Sequence, residues 1–277
     1  MNVAVIQLRV DADRDHNIAN ALHHIREAAH SGAELVVLPE VLDYWGRKEG
    51  VASIRTIIPG PVSDQFAAVA RELGIWVLAG SIHEAVDGED RTYNTSVLFD
   101  RNGVEQARYR KIHLYDVQIP GQVDALESAT FAPGDEIVTA DVEGHVAGLS
   151  ICYDIRFPEL YRALADRGAE LVFLPAAFTL FTGKDHWEVL IRARAIENQC
   201  YMLASGQQGK DALGRTTYGR SMIVDPWGTV LATAPDGEGF AMAWLDFDRL
   251  RRIRAELPAL ANRRLPTGVG SLAGIEK

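Results

Sequence analysis

The chain of 277 residues contains an internal repeat, and this repeat limits the possible folds more than any other feature. The segment GAELVVLPE at residues 32–40 recurs as GAELVFLPA at 168–176. Further along each half, TYNTSVLFDRNG at 92–103 resembles TYGRSMIVDPWG at 217–228. Because the similar blocks occur in the same order, we expect one structural unit to be present twice, related by a pseudo-twofold axis.

Each half also begins alike, with VAVIQLR from Val3 and VAGLSIC from Val146, an alignment that matches Arg9 with Cys152. A segment with apolar residues at helical spacing separates the first two strands of each half. Strands packed with helices in this order favour an α/β fold. We therefore predict a four-layer αββα sandwich in which two sheets pack face to face and helices cover both outer surfaces.

A further helix is expected in each half. SDQFAAVARELG begins at Ser63, with Ser63 or Asp64 as its cap, and DHWEVLIRARAIEN begins at Asp185, with Asp185 as its cap. The second helix has apolar residues over more of its circumference than one sheet contact requires, which predicts contact with another subunit. These apolar residues are Trp187, Val189, Leu190, Ala193 and Ile196.

No linker or low-complexity segment divides the chain. Residues 1–277 are therefore interpreted as a single domain, with a C-terminal tail from about residue 265. The 38 acidic and 28 basic residues give a net charge of −10, which argues against nucleic acid and against an anionic membrane surface as partners. With no apolar run of membrane-spanning length and no signal-like start, the chain is predicted to be cytoplasmic.

Only two cysteines are present, Cys152 and Cys200, and neither forms a CxxC motif or a Cys/His cluster. This pattern supports neither a disulfide framework nor a metal site. Cys200 lies in an apolar stretch without an acid or base nearby and is interpreted as a core residue. Cys152 follows a predicted strand and precedes a helix, which favours a chemical role.

Two other residues share this kind of position. Glu40 ends the first GAEL strand, where its repeat partner Ala176 is small and neutral, so the fold itself does not require the carboxylate. Lys111 follows the strand at 92–100 in a stretch too charged for a core. Ligands of open α/β sheets bind outside the carboxyl ends of the strands, which is where we expect Glu40, Lys111 and Cys152.

These three residue types form a coherent set for nucleophilic catalysis. A thiol attacks as the thiolate, which a neighbouring cation stabilises. A carboxylate in a partly dry pocket can act as a base near neutral pH. A lysine beside both can donate hydrogen bonds to an oxyanion.

Three motifs resemble those of a known enzyme family. They are similar to the Glu, Lys and Cys motifs of the nitrilase superfamily of carbon-nitrogen hydrolases. In this chain they are, in order, the Pro-Glu end of the first repeat strand, YRKIHL and CYDIRFPEL. The resemblance extends in motif order from about Val3 to about Arg264. Within the superfamily, the chain is most similar to the Nit branch, which contains deaminated glutathione amidase and omega-amidase. The segments that carry this similarity are YRKIHLYDVQIPGQ, HWEVLIRARAIENQCY and YGRSMIVDPWGTVLA.

The resemblance implies that Glu40 is a general base, Lys111 an oxyanion stabiliser and Cys152 the nucleophile. It also implies that Glu127 in ALESATFAPGD positions the lysine. A thioester intermediate, no metal and no cofactor are expected. The backbone amide of Tyr153, just after the nucleophile, is assigned to the oxyanion by its place in a strand-to-helix turn together with the resemblance.

The expected reaction is hydrolysis of a small carboxylate-bearing amide, similar to deaminated glutathione, to an acid and ammonia. Arg156 is the candidate cation for the substrate carboxylate, although an ion pair with Asp154 or Glu159 is an equal alternative. Phe178 is expected as an apolar pocket wall, with Thr179 or Thr182 as hydrogen-bond donors. Asp185 departs from the deaminated glutathione amidase pattern, which has a small residue there.

Other activities remain open at this point. The same three catalytic residue types serve omega-amidases, generalist aliphatic amidases, N-carbamoyl hydrolases and nitrilases. A catalytically silent binding protein on the same fold is the alternative outside the enzymes. The resemblance also implies a twofold homodimer, or a higher oligomer, formed through the helix from Asp185.

Overall fold

A computed structural model describes residues 1–211 and 214–264, and the tail predicted from about residue 265 lies outside these residues. The strands, in chain order, are β1 (Asn2–Gln7), β2 (Leu35–Val37), β3 (Trp76–Leu78), β4 (Ile82–Ala85), β5 (Thr92–Phe99), β6 (Glu105–Arg110), β7 (Asp116–Ile119), β8 (Val123–Leu126), β9 (Phe131–Ala132), β10 (Thr139–Val142), β11 (His145–Leu149), β12 (Leu171–Ala176), β13 (Tyr201–Gly206), β14 (Gln208–Lys210), β15 (Thr216–Tyr218), β16 (Met222–Val224), β17 (Val230–Thr233) and β18 (Gly239–Trp244). The helices are α1 (Arg14–His30), α2 (Lys48–Ile54), α3 (Ser63–Leu73), α4 (Pro158–Asp166), α5 (Leu180–Asn198) and α6 (Phe247–Glu256).

Two large sheets carry the repeat. The first has eight strands in the order β18-β1-β2-β3-β5-β4, with β6 and β9 also paired to β5, and the second has six in the order β10-β11-β12-β13-β16-β17. In each sheet three central strands run parallel and their neighbours run antiparallel. The order β18-β1-β2-β3-β5-β6 therefore repeats as the whole second sheet, as the duplicated sequence predicts.

The strand register corrects one detail of the repeat alignment. The register pairs that align the two sheets are Val3 with Leu35 and Ala147 with Leu171. Leu35 and Leu171 occupy equivalent places in the two GAEL blocks, so Val3 is equivalent to Ala147. The sequence alignment had matched Val3 with Val146, one residue earlier. Cys152 therefore matches Leu8, and its match with Arg9 was wrong. Short runs of small and aliphatic residues tolerate such a shift in sequence, whereas strand pairing does not.

Alternating side chains of β1 show how the layers form. Val3 and Val5 belong to the core between the two sheets, whereas Ala4 and Ile6 face the layer that contains α1 and α3. On the other side, α4 and α5 pack against the second sheet. The predicted four-layer αββα sandwich is thus confirmed. The single-domain interpretation stays a prediction, supported by the core that the two sheets share.

The start of α5 differs from the prediction. The helix begins at Leu180 with Thr179 as its cap, and Asp185 is an exposed residue within it. Gly183 hides this early start in the sequence, because glycine disfavours helix interiors. Here a Cβ on Gly183 would lie 2.4 Å from the Cβ of Tyr218, so close packing explains the glycine.

The cap of α3 was also assigned wrongly. The helix begins at Ser63, its N-cap is Val62, and no side chain caps it. The Ser63 hydroxyl instead accepts a hydrogen bond from the amide of Gly60 at 2.9 Å. Among the residues that the structure describes, no helix combines the length and apolar character needed to cross a bilayer.

Candidate active site

Glu40, Lys111 and Cys152 come together at one end of the sandwich. Glu40 follows β2, Lys111 directly follows β6, and Cys152 follows β11. All three are buried, with 4%, 1% and 8% of their surface exposed, respectively. The end of each strand thus delivers one polar side chain into a buried site, an arrangement that requires the charged groups to pair.

The Lys111 ammonium is at the centre of this cluster. Its Nζ donates to Oε1 of Glu40 at 2.8 Å and to the two carboxylate oxygens of Glu127 at 2.9 and 2.8 Å. Burial lowers the pKa of Lys111, but Glu127 and Glu40 outweigh burial, and the pKa lies well above its ordinary value. The lysine is therefore a permanent cation held between two carboxylates.

The Glu40 carboxylate is fixed from several directions. Oε1 accepts from Lys111 and from Nδ2 of Asn94 at 2.9 Å, and Oε2 accepts from the amide of Ala177 at 2.8 Å. Ala177 directly follows Ala176, the repeat partner of Glu40. The two equivalent strand ends thus meet at the site, and one supplies the carboxylate while the other supplies a backbone donor.

Glu127 opens a short 3₁₀ turn, Glu127–Ala129, and its carboxylate contacts the ammonium of Lys111. It also accepts from Nδ2 of Asn94 at 3.2 Å and from the amide of Tyr115. Burial raises the pKa of Glu127 and Glu40 raises it further, although Lys111 opposes both. Glu127 is therefore in direct contact with the lysine, and its role in positioning Lys111 stays a prediction.

Asn94 and the amide of Ala177 were not identified from the sequence. Asn94 lies on β5, and its amide nitrogen bridges the carboxylates of Glu40 and Glu127. Its neighbourhood in the sequence, TYNTSVLF, resembles any half-buried strand. The occurrence of asparagine inside such a strand, where this residue is disfavoured, is the one signal that was available.

Cys152 begins a 3₁₀ turn, Cys152–Arg156, with a backbone φ of +46°. A non-glycine residue in this left-handed region is strained, and such strain is concentrated at functional sites. Burial raises the pKa of the Cys152 thiol well above its ordinary value, Glu40 raises it further, and Lys111 lowers it by less. Lys111 thus acts on the thiol as a neighbouring cation should, but burial and the Glu40 charge outweigh it and keep the pKa raised.

The amide of Tyr153 lies in the first turn of this 3₁₀ segment. First-turn amides of a helix have no acceptor within the helix. In the described part of the chain, the Tyr153 N–H has no hydrogen-bond acceptor, whereas the amide of Asp154 donates to Ile151 at 3.0 Å. The position is therefore available to an external oxygen atom beside Cys152.

A buried aspartate connects the Cys152 turn to the Lys111 segment. Asp154 accepts from the hydroxyl of Tyr109 at 2.7 Å and from Nδ1 and the amide of His113 at 2.7 and 3.1 Å. Tyr109 and His113 each lie two residues from Lys111. One carboxylate thus holds the two catalytic candidates in a fixed relation, a role that sequence reasoning missed.

Glu40, Lys111 and Cys152 lie on the wall of a cavity of about 810 Å³, a size suited to a small organic molecule. Its lining includes every candidate site residue from the sequence, namely Glu40, Lys111, Glu127, Cys152, Tyr153, Arg156, Phe178, Thr179 and Thr182. The β7–β8 hairpin forms part of the wall and turns at Pro120-Gly121, where the φ of Gly121 is +71°. Proline followed by a left-handed glycine is typical of a type II turn.

Arg156 points into this cavity without a carboxylate partner among the described residues. Its guanidinium carbon lies 5.2 Å from the ring centre of Phe178 and 5.9 Å from that of Tyr153. Its two terminal nitrogens are each 3.3 Å from Nδ1 of His186. The ion pair with Asp154 or Glu159 is not formed, so the alternative in which Arg156 meets a ligand is the one that the geometry favours.

Thr179 and Thr182 also line the cavity, but they contact each other. Their hydroxyl oxygens are 2.9 Å apart, and the Thr179 hydroxyl accepts from the Thr182 amide at 3.5 Å as the cap of α5. One hydroxyl proton is used in this pair, which leaves one for a ligand. Phe178 is buried beside Trp187, at a ring distance of 5.2 Å, and forms an apolar wall.

Two histidines near the site have hydrogen-bonding contacts. His113 bonds to Asp154, and His186 is within hydrogen-bond distance of Arg156. Within residues 1–211 and 214–264, no three His, Cys, Asp or Glu side chains are grouped as a metal site would need. Cys200 is completely buried in the core, and burial raises the pKa of its thiol to about 12.

The fold and the site are those of a hydrolase family. The family model described as carbon-nitrogen hydrolase matches residues 2–255. The chain therefore belongs to the carbon-nitrogen hydrolase family.

Particular relatives indicate the branch of this family. Human deaminated glutathione amidase is 42% identical over 267 residues, which cover 95% of this chain and 82% of the human protein. Human omega-amidase NIT2 is 38% identical over 262 residues, which cover 95% of this chain and 94% of the human protein. Among solved structures, Saccharomyces cerevisiae Nit3, a member of branch 10 of the nitrilase superfamily, has a TM-score of 0.85 and 32% identity, covering 96% of this chain and 97% of that one. The predicted resemblance and the predicted class of enzyme, an amidase, are confirmed.

Proposed function

We propose that this amidase uses Cys152 as a nucleophile and that its preferred substrate is deaminated glutathione. The observation that carries the proposal is the buried cluster of Cys152, Glu40, Lys111 and Glu127 on the wall of the 810 Å³ cavity. Nucleophile, base and oxyanion donor lie together there, as covalent acyl transfer requires. The similarity to human deaminated glutathione amidase supports the choice of substrate.

The first half of the reaction forms a thioester. Glu40 accepts the proton of the Cys152 thiol as the sulfur attacks the amide carbonyl carbon, so that a thiolate need not exist beforehand. Lys111 and the Tyr153 amide donate to the oxyanion. Because Lys111 makes two contacts to Glu127, one N–H can turn to the oxyanion while its charge stays paired. The C–N bond then breaks, and Glu40 returns its proton to the leaving nitrogen.

The second half releases the acid. Glu40 accepts a proton from a water molecule, whose oxygen attacks the thioester carbonyl. The C–S bond breaks, and the sulfur recovers its proton from Glu40, which restores the starting state. A primary amide would release ammonia, the product predicted from the sequence. Deaminated glutathione would instead release cysteinylglycine, because its scissile amide joins an oxo acid to that dipeptide.

Two features of the cavity favour this substrate class. Arg156 is placed on the same turn as Cys152 and has no carboxylate partner among the described residues, so it is suited to a carboxylate on the acyl side. The cavity volume also exceeds what a small monoamide needs and suits a tripeptide-sized ligand. Asp185, the departure from the related pattern, lies on the exposed part of α5 and does not line the cavity.

The experiment that tests the proposal compares three substrates. We expect kcat/KM to be highest for deaminated glutathione, lower for α-ketoglutaramate and lowest for an uncharged aliphatic amide. Product acids are measured for all three, because the leaving group differs. A preference for α-ketoglutaramate would assign an omega-amidase, and a preference for the uncharged amide would assign a generalist amidase. No turnover of any amide, carbamoyl compound or nitrile would contradict catalysis altogether.

Replacement of Arg156 by lysine is expected to lower kcat/KM for anionic amides by about tenfold, with a smaller effect on the uncharged amide. Lysine keeps the charge but cannot reproduce the two-pronged hydrogen bonding of a guanidinium to a carboxylate. The ratio of kcat/KM between anionic and uncharged substrates is measured for both proteins. An equal loss for the two substrate types would show that Arg156 does not bind the carboxylate.

We also propose that the protein forms a homodimer through α5. Trp187 is buried, but Val189 and Ile196 of the same helix are exposed, and Trp227 is exposed beside the loop that contacts Ile196. Exposed apolar side chains grouped in this way favour association. Light scattering at micromolar concentration is expected to give twice the mass of the chain. The Ile196→Asp variant is expected to have a mass closer to that of a single chain. A monomeric wild-type protein would contradict the proposal.

A cytoplasmic location is proposed on the basis of the thiol chemistry. Cys152 and Cys200 are both free, and the mechanism requires Cys152 to remain reduced. The cytoplasm keeps thiols in this state, whereas oxidising compartments do not. Cell fractionation with antibodies against the protein tests this location.

A further inference from the structure

The cavity that holds the active site has more positive charge than the proposed mechanism uses. Its lining contains five basic and three acidic residues, although the chain as a whole has a net charge of −10. The basic residues are Lys48, Lys111, Arg156, Lys184 and Arg215, and the acidic residues are Glu40, Glu127 and Asp124. Lys111 compensates the charge of one of the two glutamates that it contacts, which leaves four cations against Asp124 and one glutamate charge.

Arg215 is oriented by three contacts. Its guanidinium carbon lies 4.6 Å from the ring centre of Trp45, and its Nε donates to Asp211 at 2.6 Å. Its Nη2 approaches the carbonyl of Gly46 at 3.5 Å, whereas Nη1 has no partner among the described residues. Stacking and the Asp211 contact fix the plane of the guanidinium, and its other edge is free to bind an anion.

Lys48 lines the same cavity and follows the segment that this arginine approaches. It begins α2, two residues after the Gly46 carbonyl that Arg215 approaches. It is exposed, and within the described parts of the chain its ammonium has no acid at ion-pair distance. Lys184, by comparison, is 4.0 Å from the carboxylate of Asp185. Lys48 is therefore, like Arg156, a cation of the lining without an acid partner among the described residues, and it lies two residues from the carbonyl that Arg215 approaches.

We infer that Arg215 and Lys48 form a second carboxylate subsite, which binds the free carboxylate on the amine side of the scissile amide. This inference rests on the proposed function and extends it. Arg156 lies on the Cys152 turn and is suited to the acyl side, whereas Arg215 and Lys48 lie on the segments around Trp45 and β15. The enzyme thereby selects amides whose leaving amine is an amino acid or short peptide with a free carboxyl end.

The test compares deaminated glutathione with its C-terminal carboxamide, which differs only in the loss of that carboxylate. We expect the wild-type protein to prefer the carboxylate by about tenfold in kcat/KM, mainly through KM. Lys48→Ala and Arg215→Lys are each expected to reduce this preference several-fold. Arg252→Ala, which changes an exposed arginine on α6 outside the cavity lining, is the matched control and is expected to keep the preference.

Equal kcat/KM values for the two compounds, or a preference unchanged in both variants, would overturn the subsite. Binding of the same two compounds to the Cys152→Ala protein, measured by calorimetry, requires no turnover. If neither compound is hydrolysed, the proposed substrate is wrong, and the calorimetric preference still decides the subsite. Loss of the calorimetric preference when Lys48→Ala is added to the Cys152→Ala protein supports the subsite. Absence of any preference in the Cys152→Ala protein itself overturns the subsite.

Discussion

Cys152→Ala is expected to lower amide hydrolysis by about 10⁴-fold or more, because no other group can form the covalent intermediate. The protein should fold normally. Alanine is smaller than cysteine and adds no bulk to a site with 8% exposure, and the φ of +46° is no worse for alanine than for cysteine. Steady-state rates and a far-UV circular dichroism spectrum measure the two expectations.

Cys200→Ala is the matched control, since it removes the other thiol from a fully buried position outside the cavity lining. This variant should retain activity. Iodoacetamide should label Cys152 before Cys200, because only Cys152 borders the cavity, and labelling should stop turnover. Since the pKa of Cys152 is raised, its labelling rate should still rise at a pH where an ordinary thiol has levelled off. Equal labelling of both thiols with retained activity would remove Cys152 from the mechanism.

The location of the site could be predicted because it depends on local patterns. Glu40 and Ala176 end equivalent strands but differ in charge, which shows that the carboxylate serves something other than the fold. The structure supplies the reason for the alanine, since the next amide, that of Ala177, donates to Glu40. The end of a strand and the residues directly after it are visible in a single stretch of sequence.

The details of the site could not be predicted because they depend on contacts between distant segments. Asn94 bridges Glu40 and Glu127 only because β5 lies beside both, and Asp154 meets Tyr109 only across the two halves of the sandwich. The state of the Cys152 thiol depends on the balance between burial and two opposite charges. Neither the depth of burial nor the distances are visible in residue types.

The start of α5 illustrates a different limit. Thr179 and Asp185 are both good caps, and nothing in the local sequence decides between them. The close approach of Tyr218 to Gly183 settles the choice, because it allows the helix to continue through a glycine. Tertiary packing thus overrides the intrinsic preference of the residue.

Lys111→Met is expected to have a large effect on both activity and stability. It removes the cation from between Glu40 and Glu127, so two buried carboxylates face each other without compensation. Loss of one partner from a buried ionic cluster costs about 3–5 kcal/mol near neutral pH. Loss of an oxyanion donor alone lowers kcat by about 10²- to 10³-fold, and the disturbed position of Glu40 adds to this.

The pH dependence of the stability loss identifies its cause. Burial and Glu40 already raise the pKa of Glu127, and removal of Lys111 raises it further because the lysine was the opposing influence. A carboxyl group with a raised pKa in the folded state stabilises that state at acid pH and ceases to do so as pH rises through the raised value. Lys111→Met should therefore differ least from the wild type near the ordinary carboxyl value of 4.5 and progressively more above it.

Urea unfolding of wild type and Lys111→Met at about pH 5 and about pH 8 measures this dependence. Lys210→Met is the matched control, because Lys210 is exposed and does not line the cavity, and its stability should follow the wild type at both values. A deficit of Lys111→Met that is the same at both pH values would place its cause in packing of the methionine. A deficit that grows with pH shows that the cost arises from a buried carboxylate that has lost its cation, and hence that Lys111 keeps Glu127 ionised in the interior.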